Sequence, residues 1–160
     1  MKLKGALVAV AVAAVSGVGL AAPAHADAVP GWIADRENQE SPEACKLPNH
    51  SDFDFTYYYN SGWKNAYRNI GYSVWNMADV RIGGAPQAGL QPLRYCGHIG
   101  PGVGMNVKNN AASAANRHSK YTAVSHFKSG YAGPQDRLVP GSRMYRLKNT
   151  YNENASFSWG

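Results

Sequence analysis

The sequence predicts an all-β sandwich, and three observations carry that expectation. Short strand candidates are separated by Gly- and Pro-rich turns. No segment sustains a 3.6-residue apolar period. The chain also repeats itself. Asn109-Asn110-Ala111-Ala112-Ser113 returns as Asn152-Glu153-Asn154-Ala155-Ser156, and Asn60-Ser61-Gly62-Trp63 returns as Lys128-Ser129-Gly130-Tyr131. Each half therefore runs aromatic strand, Ser-Gly-aromatic turn, variable stretch, then polar-polar-x-Ala-Ser.

Taken in order, residues 1–26 read as a signal peptide. Lys2 and Lys4 precede an uncharged apolar run from Ala6 to Ala22, and Ala24-His25-Ala26 is a small-x-small cleavage site. The run is rich in Ala and Gly and marginal in length for a membrane span. The expectation is a secreted, extracellular chain with no membrane attachment after cleavage. Residues 27–52 read as an acidic N-terminal leader punctuated by Pro30, Pro42 and Pro48, in part disordered before Cys45.

Residues 53–160 form the domain, with a first repeat over 53–116 and a second over 117–160. Phe55-Thr56-Tyr57-Tyr58-Tyr59 is an aromatic strand with Phe55, Tyr57 and Tyr59 on one face. Gly62 turns it. Tyr67–Asn76 holds a further strand or two. Residues 77–104 are dense in Gly and Pro and read as a long insertion. The stretch from Asn60 to Asn109 is about 25 residues longer than that from Lys128 to Asn152, which places the extra chain there. Loops of this length in small domains are functional or disordered. In the second repeat, Tyr121–Phe127 and Met144–Leu147 read as strands. Val139-Pro140-Gly141-Ser142 reads as a turn, and 155–159 as a last half-buried strand.

The formal net charge is +6, and loss of Lys2 and Lys4 lowers it by two. The remaining basic residues are scattered, so nucleic acid is not expected as a partner. Cys45 and Cys96 are the only cysteines. In an exported chain the default is one disulfide, closing a loop of about fifty residues and stabilising by roughly 4 kcal/mol. The rival reading, a reactive Cys96 beside His98, is weaker because an oxidising compartment consumes free thiols.

The ordered motifs Tyr59-Asn60-Ser61-Gly62, Lys108 to Ser113, Ser129-Gly130-Tyr131-Ala132-Gly133 and Asn154-Ala155-Ser156-Phe157 resemble secreted actinobacterial peptidase inhibitors typified by the Streptomyces metalloproteinase inhibitor. That class is similar to the βγ-crystallins. The resemblance covers roughly residues 53–159. It implies a two-Greek-key sandwich with a long loop insertion in the first repeat. It also implies that a Ser packs over a folded hairpin in each copy. Phe127, Gly133 and Ser156 take those roles in the second copy, and Tyr59 and Ser113 in the first, where Asn65 replaces the glycine. Asn tolerates a left-handed backbone better than most residues.

Many microbial relatives of that fold bind calcium through such Asn/Ser motifs. The candidate ligands here are Asn109, Asn110, Ser113, Asn152, Glu153 and Ser156. Calcium prefers several carboxylates, and Glu153 is the only one present, so hydrogen-bonded loop closure is the favoured reading and no cofactor is required. The run Gly97–Gly104 lacks the Lys-Ser/Thr ending of a phosphate loop. No nucleophile elbow or zinc helix occurs, so no catalytic residues are assigned. Asp52 and Asp54 share a face before the first strand. Asn49-His50-Ser51 and Asn154-Ala155-Ser156 are formal glycosylation sequons. Tyr58, Arg94 and Tyr95 are contact candidates.

The function expected is a secreted, monomeric, non-enzymatic inhibitor of an extracellular peptidase, a metallopeptidase by resemblance. A disulfide-pinned loop, Leu93, Arg94, Tyr95, Cys96, Gly97, His98 and Ile99, would enter the enzyme's cleft. The alternative is a calcium-binding or cell-envelope-associated crystallin-like module, and a secreted toxin is a third reading.

Overall fold

The computed structural model describes residues 29–97 and 100–160. The signal segment expected over 1–26 lies outside the described residues, as do His98 and Ile99. Helix α1 spans Gly31–Glu40 and is followed by single 3-10 turns at Pro42–Ala44 and Pro48–His50. Nine strands follow among the described residues. They are β1 (Phe55–Asn60), β2 (Lys64–Ile70), β3 (Val80–Arg81), β4 (Leu90–Gln91), β5 (Ser113–Asn116), β6 (Ala123–Lys128), β7 (Ala132–Leu138), β8 (Arg143–Met144) and β9 (Ser156–Trp159).

One sheet has the order β2-β1-β5-β8 and another β7-β6-β9, and every strand pair is antiparallel. Val74 bridges Phe157 and gives the second sheet a fourth position. Thus β8, from the second repeat, completes the sheet of the first. Val74, from the first repeat, completes the sheet of the second. Two Greek keys that exchange a strand in this way form the βγ-crystallin topology. The small hairpin β3-β4 stands apart.

The exchange follows from the aromatic pattern. Phe55 and Tyr57 in β1 are fully buried, as is Phe157 in β9. Phe55 and Phe157 stack with centroids 4.4 Å apart, so the centre of the core joins the two repeats. Neither repeat covers its own apolar face, and packing the two sheets buries both.

The structure departs from the sequence expectation in four places. The leader is ordered: α1 docks through Asn38, whose Oδ1 accepts the Gly71 and Tyr72 amides at 2.9 and 3.1 Å and whose Nδ2 donates to the Tyr72 carbonyl. Polar anchoring of this kind leaves no apolar period to read. β2 begins at Lys64 and ends at Ile70, and of the rest of 67–76 only Val74 bridges another strand among the described residues. β7 carries no strand signal in the sequence because it is polar, with Pro134 in the run, and lies at a sheet edge. The expected strand over 144–147 is β8, shorter and starting at Arg143.

Candidate functional site

The repeated serines close the two hairpins. Ser113 Oγ donates to the Asn60 carbonyl at 2.6 Å and accepts the Trp63 amide at 3.1 Å. Ser156 Oγ donates to the Lys128 carbonyl at 2.6 Å and accepts the Tyr131 amide at 3.0 Å. The turns beneath them match: Gly62 and Trp63 have φ of 77° and 59°, Gly130 and Tyr131 of 75° and 59°. Asn65 has φ 66° where Gly133 has 79°, so asparagine adopts the left-handed backbone here.

The asparagine motifs are used mainly by the backbone. The Asn109 amide donates to the Asn154 carbonyl, and the Asn152 amide to the Ala111 carbonyl, both at 2.8 Å. Asn110 Nδ2 donates to the Asn106 and Lys108 carbonyls. Ser113 and Ser156 are fully buried and already carry a donated and an accepted bond. Glu153 is exposed. Beside the second hairpin, the Lys108 ammonium donates to Asn76 Oδ1 and Ser129 Oγ at 2.9 and 3.2 Å, so a resident cation already meets those oxygens. Among the described residues no three His, Cys, Asp or Glu side chains group to hold a metal ion. This donor chemistry fits hairpin closure better than calcium. Asn154 is fully buried, so its sequon is not presented to solvent.

The insertion is tied down at several points. Cys45 and Cys96 form the disulfide, with Cα atoms 5.4 Å apart across 51 positions. The Cys96 amide donates to the Tyr67 carbonyl at 2.8 Å, and the Ala66 amide to the Pro101 carbonyl at 3.3 Å. A Cβ on Gly102 would lie 2.2 Å from the Tyr59 ring, so only glycine lets the loop rest there. Within the loop, the Tyr95 amide donates to the Met105 carbonyl and Arg94 Nη1 to the Gly104 carbonyl, both at 2.9 Å.

Of the segment 93–99, Leu93 and Tyr95 point into the core. Burial pushes the Tyr95 phenol well above its ordinary pKa, and its hydroxyl donates to the Asn110 carbonyl. Cys96 is in the disulfide, and Arg94 and Gly97 are exposed. The neighbouring turn carries Val103 and Met105, exposed by 36% and 46%. The sequence missed these two because isolated apolar residues in a Gly-rich run carry no periodic signal.

The surface hollows among the described residues include two that combine a tryptophan with charged side chains. Asp52, Phe53, Asp54, Tyr72, His118 and Trp159 line one of about 380 Å³. There His118 Nδ1 accepts the Lys120 and Tyr121 amides, which leaves the proton of the neutral ring on Nε2. The other, about 280 Å³, is on the outer face of the β2-β1-β5-β8 sheet around Tyr58.

No family model matches the chain, and no curated protein matches it. A solved structure described as "Evolution of the eye lens beta-gamma-crystallin domain fold" aligns with a TM-score of 0.46 at 10% identity, over 68% of this chain and 85% of that one.

Proposed function

We propose that the protein is a secreted, non-enzymatic inhibitor of an extracellular peptidase, with a metallopeptidase as the preferred target. The single observation that carries the reading is the clamped insertion. A disulfide, two strand-like contacts to β2 and the Gly102–Tyr59 approach hold an exposed rim consisting of Arg94, Gly97 and the turn through Val103 and Met105. A loop held in one conformation loses little entropy when it enters a cleft. The disulfide supports an oxidising compartment. The choice of a peptidase rests on the motif resemblance.

The test is to titrate the mature protein into a panel of secreted metallo- and serine peptidases and follow residual activity. Stoichiometric loss with at least one metallopeptidase is expected. Arg94→Ala with Met105→Ala should weaken it, and a flat response across the panel would sink the reading.

A further inference from the structure

The outer face of the β2-β1-β5-β8 sheet carries a hollow distinct from the exposed rim of the insertion. Each of its strands supplies a residue to the 280 Å³ hollow: Tyr67 from β2, Tyr58 from β1, Ala115 from β5 and Arg143 from β8. Tyr58 pairs directly with Tyr67, and Ala115 with Arg143, so these side chains share one face. Ala115 is the small residue that leaves the space. Trp63 walls one side, and Arg117 enters from the chain just after β5.

Arg117 and Arg143 carry two positive charges at this hollow. Arg117 is half-buried and fixed: Nη1 donates to Thr56 Oγ1 at 2.8 Å and Nη2 to the Phe53 carbonyl at 2.6 Å. Arg143 lies over the Trp63 ring at 5.8 Å. Among the described residues neither guanidinium has a carboxylate within 4.0 Å. The two repel one another, Asp54 offsets part of the Arg117 charge, and both guanidiniums act on the Tyr58 phenol. Two guanidiniums lining one hollow, with Asp54 offsetting only part of the Arg117 charge from beyond ion-pair distance, suit an oxyanion. The remaining walls are indole, phenol and the amides of Asn49 and Asn65, a mixture that suits the faces and hydroxyls of a sugar ring. The volume admits a single ring rather than a drug-sized molecule.

We propose that this hollow binds an anionic saccharide, with a carboxylate or sulfate between Arg117 and Arg143 and the ring against Trp63 and Tyr58. The pseudo-equivalent face of the second repeat is lined differently among the described residues. There His126 takes the place of Tyr58 and closes onto Ser158 Oγ at 2.9 Å. The difference between the repeats puts the saccharide contact on the first sheet, where Tyr67 also pairs with Cys96 of the clamped loop.

The test is an NMR titration of the mature, isotope-labelled protein with three probes at low salt: a uronic-acid disaccharide, its neutral hexose counterpart and inorganic sulfate. The uronide should shift the Trp63 indole, the Tyr58 amide and the Arg143 Nε–H resonances, and the neutral sugar should not. Sulfate should bind at least tenfold more weakly. Arg143→Gln, at an exposed site, should weaken uronide binding at least tenfold with an unchanged melting temperature. Arg137→Gln on the other sheet should leave binding intact. Equal binding of sulfate and uronide would mean an adventitious ion only and would overturn the saccharide. Absence of shifts with the uronide, or equal loss in both variants, would overturn the site. Peptidase inhibition is read separately and does not enter this result.

Discussion

The Arg68 guanidinium meets the Gln39 carbonyl at 3.0 Å, in the last turn of helix α1. The same Nη2 also donates to the Asn38 carbonyl, and Nη1 donates to the Arg94 carbonyl at 3.1 Å beside the disulfide. One buried arginine on β2 therefore links the leader, the insertion and the first repeat. Burial brings its pKa down to about 10, so it stays charged at neutral pH. Its two Nη atoms donate to carbonyls, including two at the negative end of the helix, while the buried Nε has no partner among the described residues.

Arg68→Met should therefore orphan several carbonyls at once. A loss of about 2–4 kcal/mol is expected in urea unfolding. Amide exchange in α1 should rise more than in β6, which touches neither group. Arg68→Lys keeps the charge without the fork and should fall between the two. An Arg68→Met protein as stable as the parent would show that the leader is held by its apolar contacts instead.

The hairpin serines predict a symmetric effect. Ser113→Ala and Ser156→Ala each remove a donor to a carbonyl and an acceptor for an amide, at matched distances in the two repeats. Each should cost about 1–3 kcal/mol. The two costs should agree within about 1 kcal/mol and add in the double variant, because the hairpins share no partner. Chemical denaturation of the three proteins measures this directly.

The repeats were legible because they are built from position-specific chemistry. Gly62, Gly130, Ser113 and Ser156 must be what they are for a hairpin to fold back and be pinned, and that requirement is local in sequence. The leader was not legible. Asn38, Gln39 and Arg68 work across about thirty positions, and a polar side chain that docks a helix resembles a solvated one until its partner is known. The candidate loop was half legible. Cys96 marked the anchor, but alternation within Leu93-Arg94-Tyr95 sends every second side chain into the core. The Arg117–Arg143 pairing comes from β8 crossing into the first sheet, and no local pattern announces it.

Calcium should leave the protein unchanged. The motif serines are spent on hairpins, and the Lys108 ammonium already meets Asn76 and Ser129. Adding millimolar calcium to chelator-treated protein should move the melting temperature by less than about 1 °C, since a ligand at free concentration c stabilises by RT ln(1 + c/Kd) and a site with Kd far above the calcium concentration gains almost nothing. A rise of several degrees with measurable heat in calorimetry would return the Asn/Ser motifs to the status of a metal site.

The last prediction concerns acid. His126 is buried in β6 with Nε2 hydrogen-bonded to Ser158 Oγ. Desolvation, and then the nearby Arg137 charge, hold its pKa below the ordinary 6.5. Between the folded and unfolded pKa values the unfolded chain binds the extra proton. The stability linked to the neutral ring is therefore full above pH 6.5 and is lost as the pH falls through that value toward the folded one. Asp35 acts in the opposite sense at lower pH. Burial raises its carboxyl pKa above 3.8, so its contribution is lost as pH rises through the folded value. His126→Gln can keep a bond to Ser158 and cannot titrate. Its unfolding free energy should fall less than the parent's when the pH drops from 7 to 5. Parallel profiles for the two proteins would place the acid sensitivity on another group.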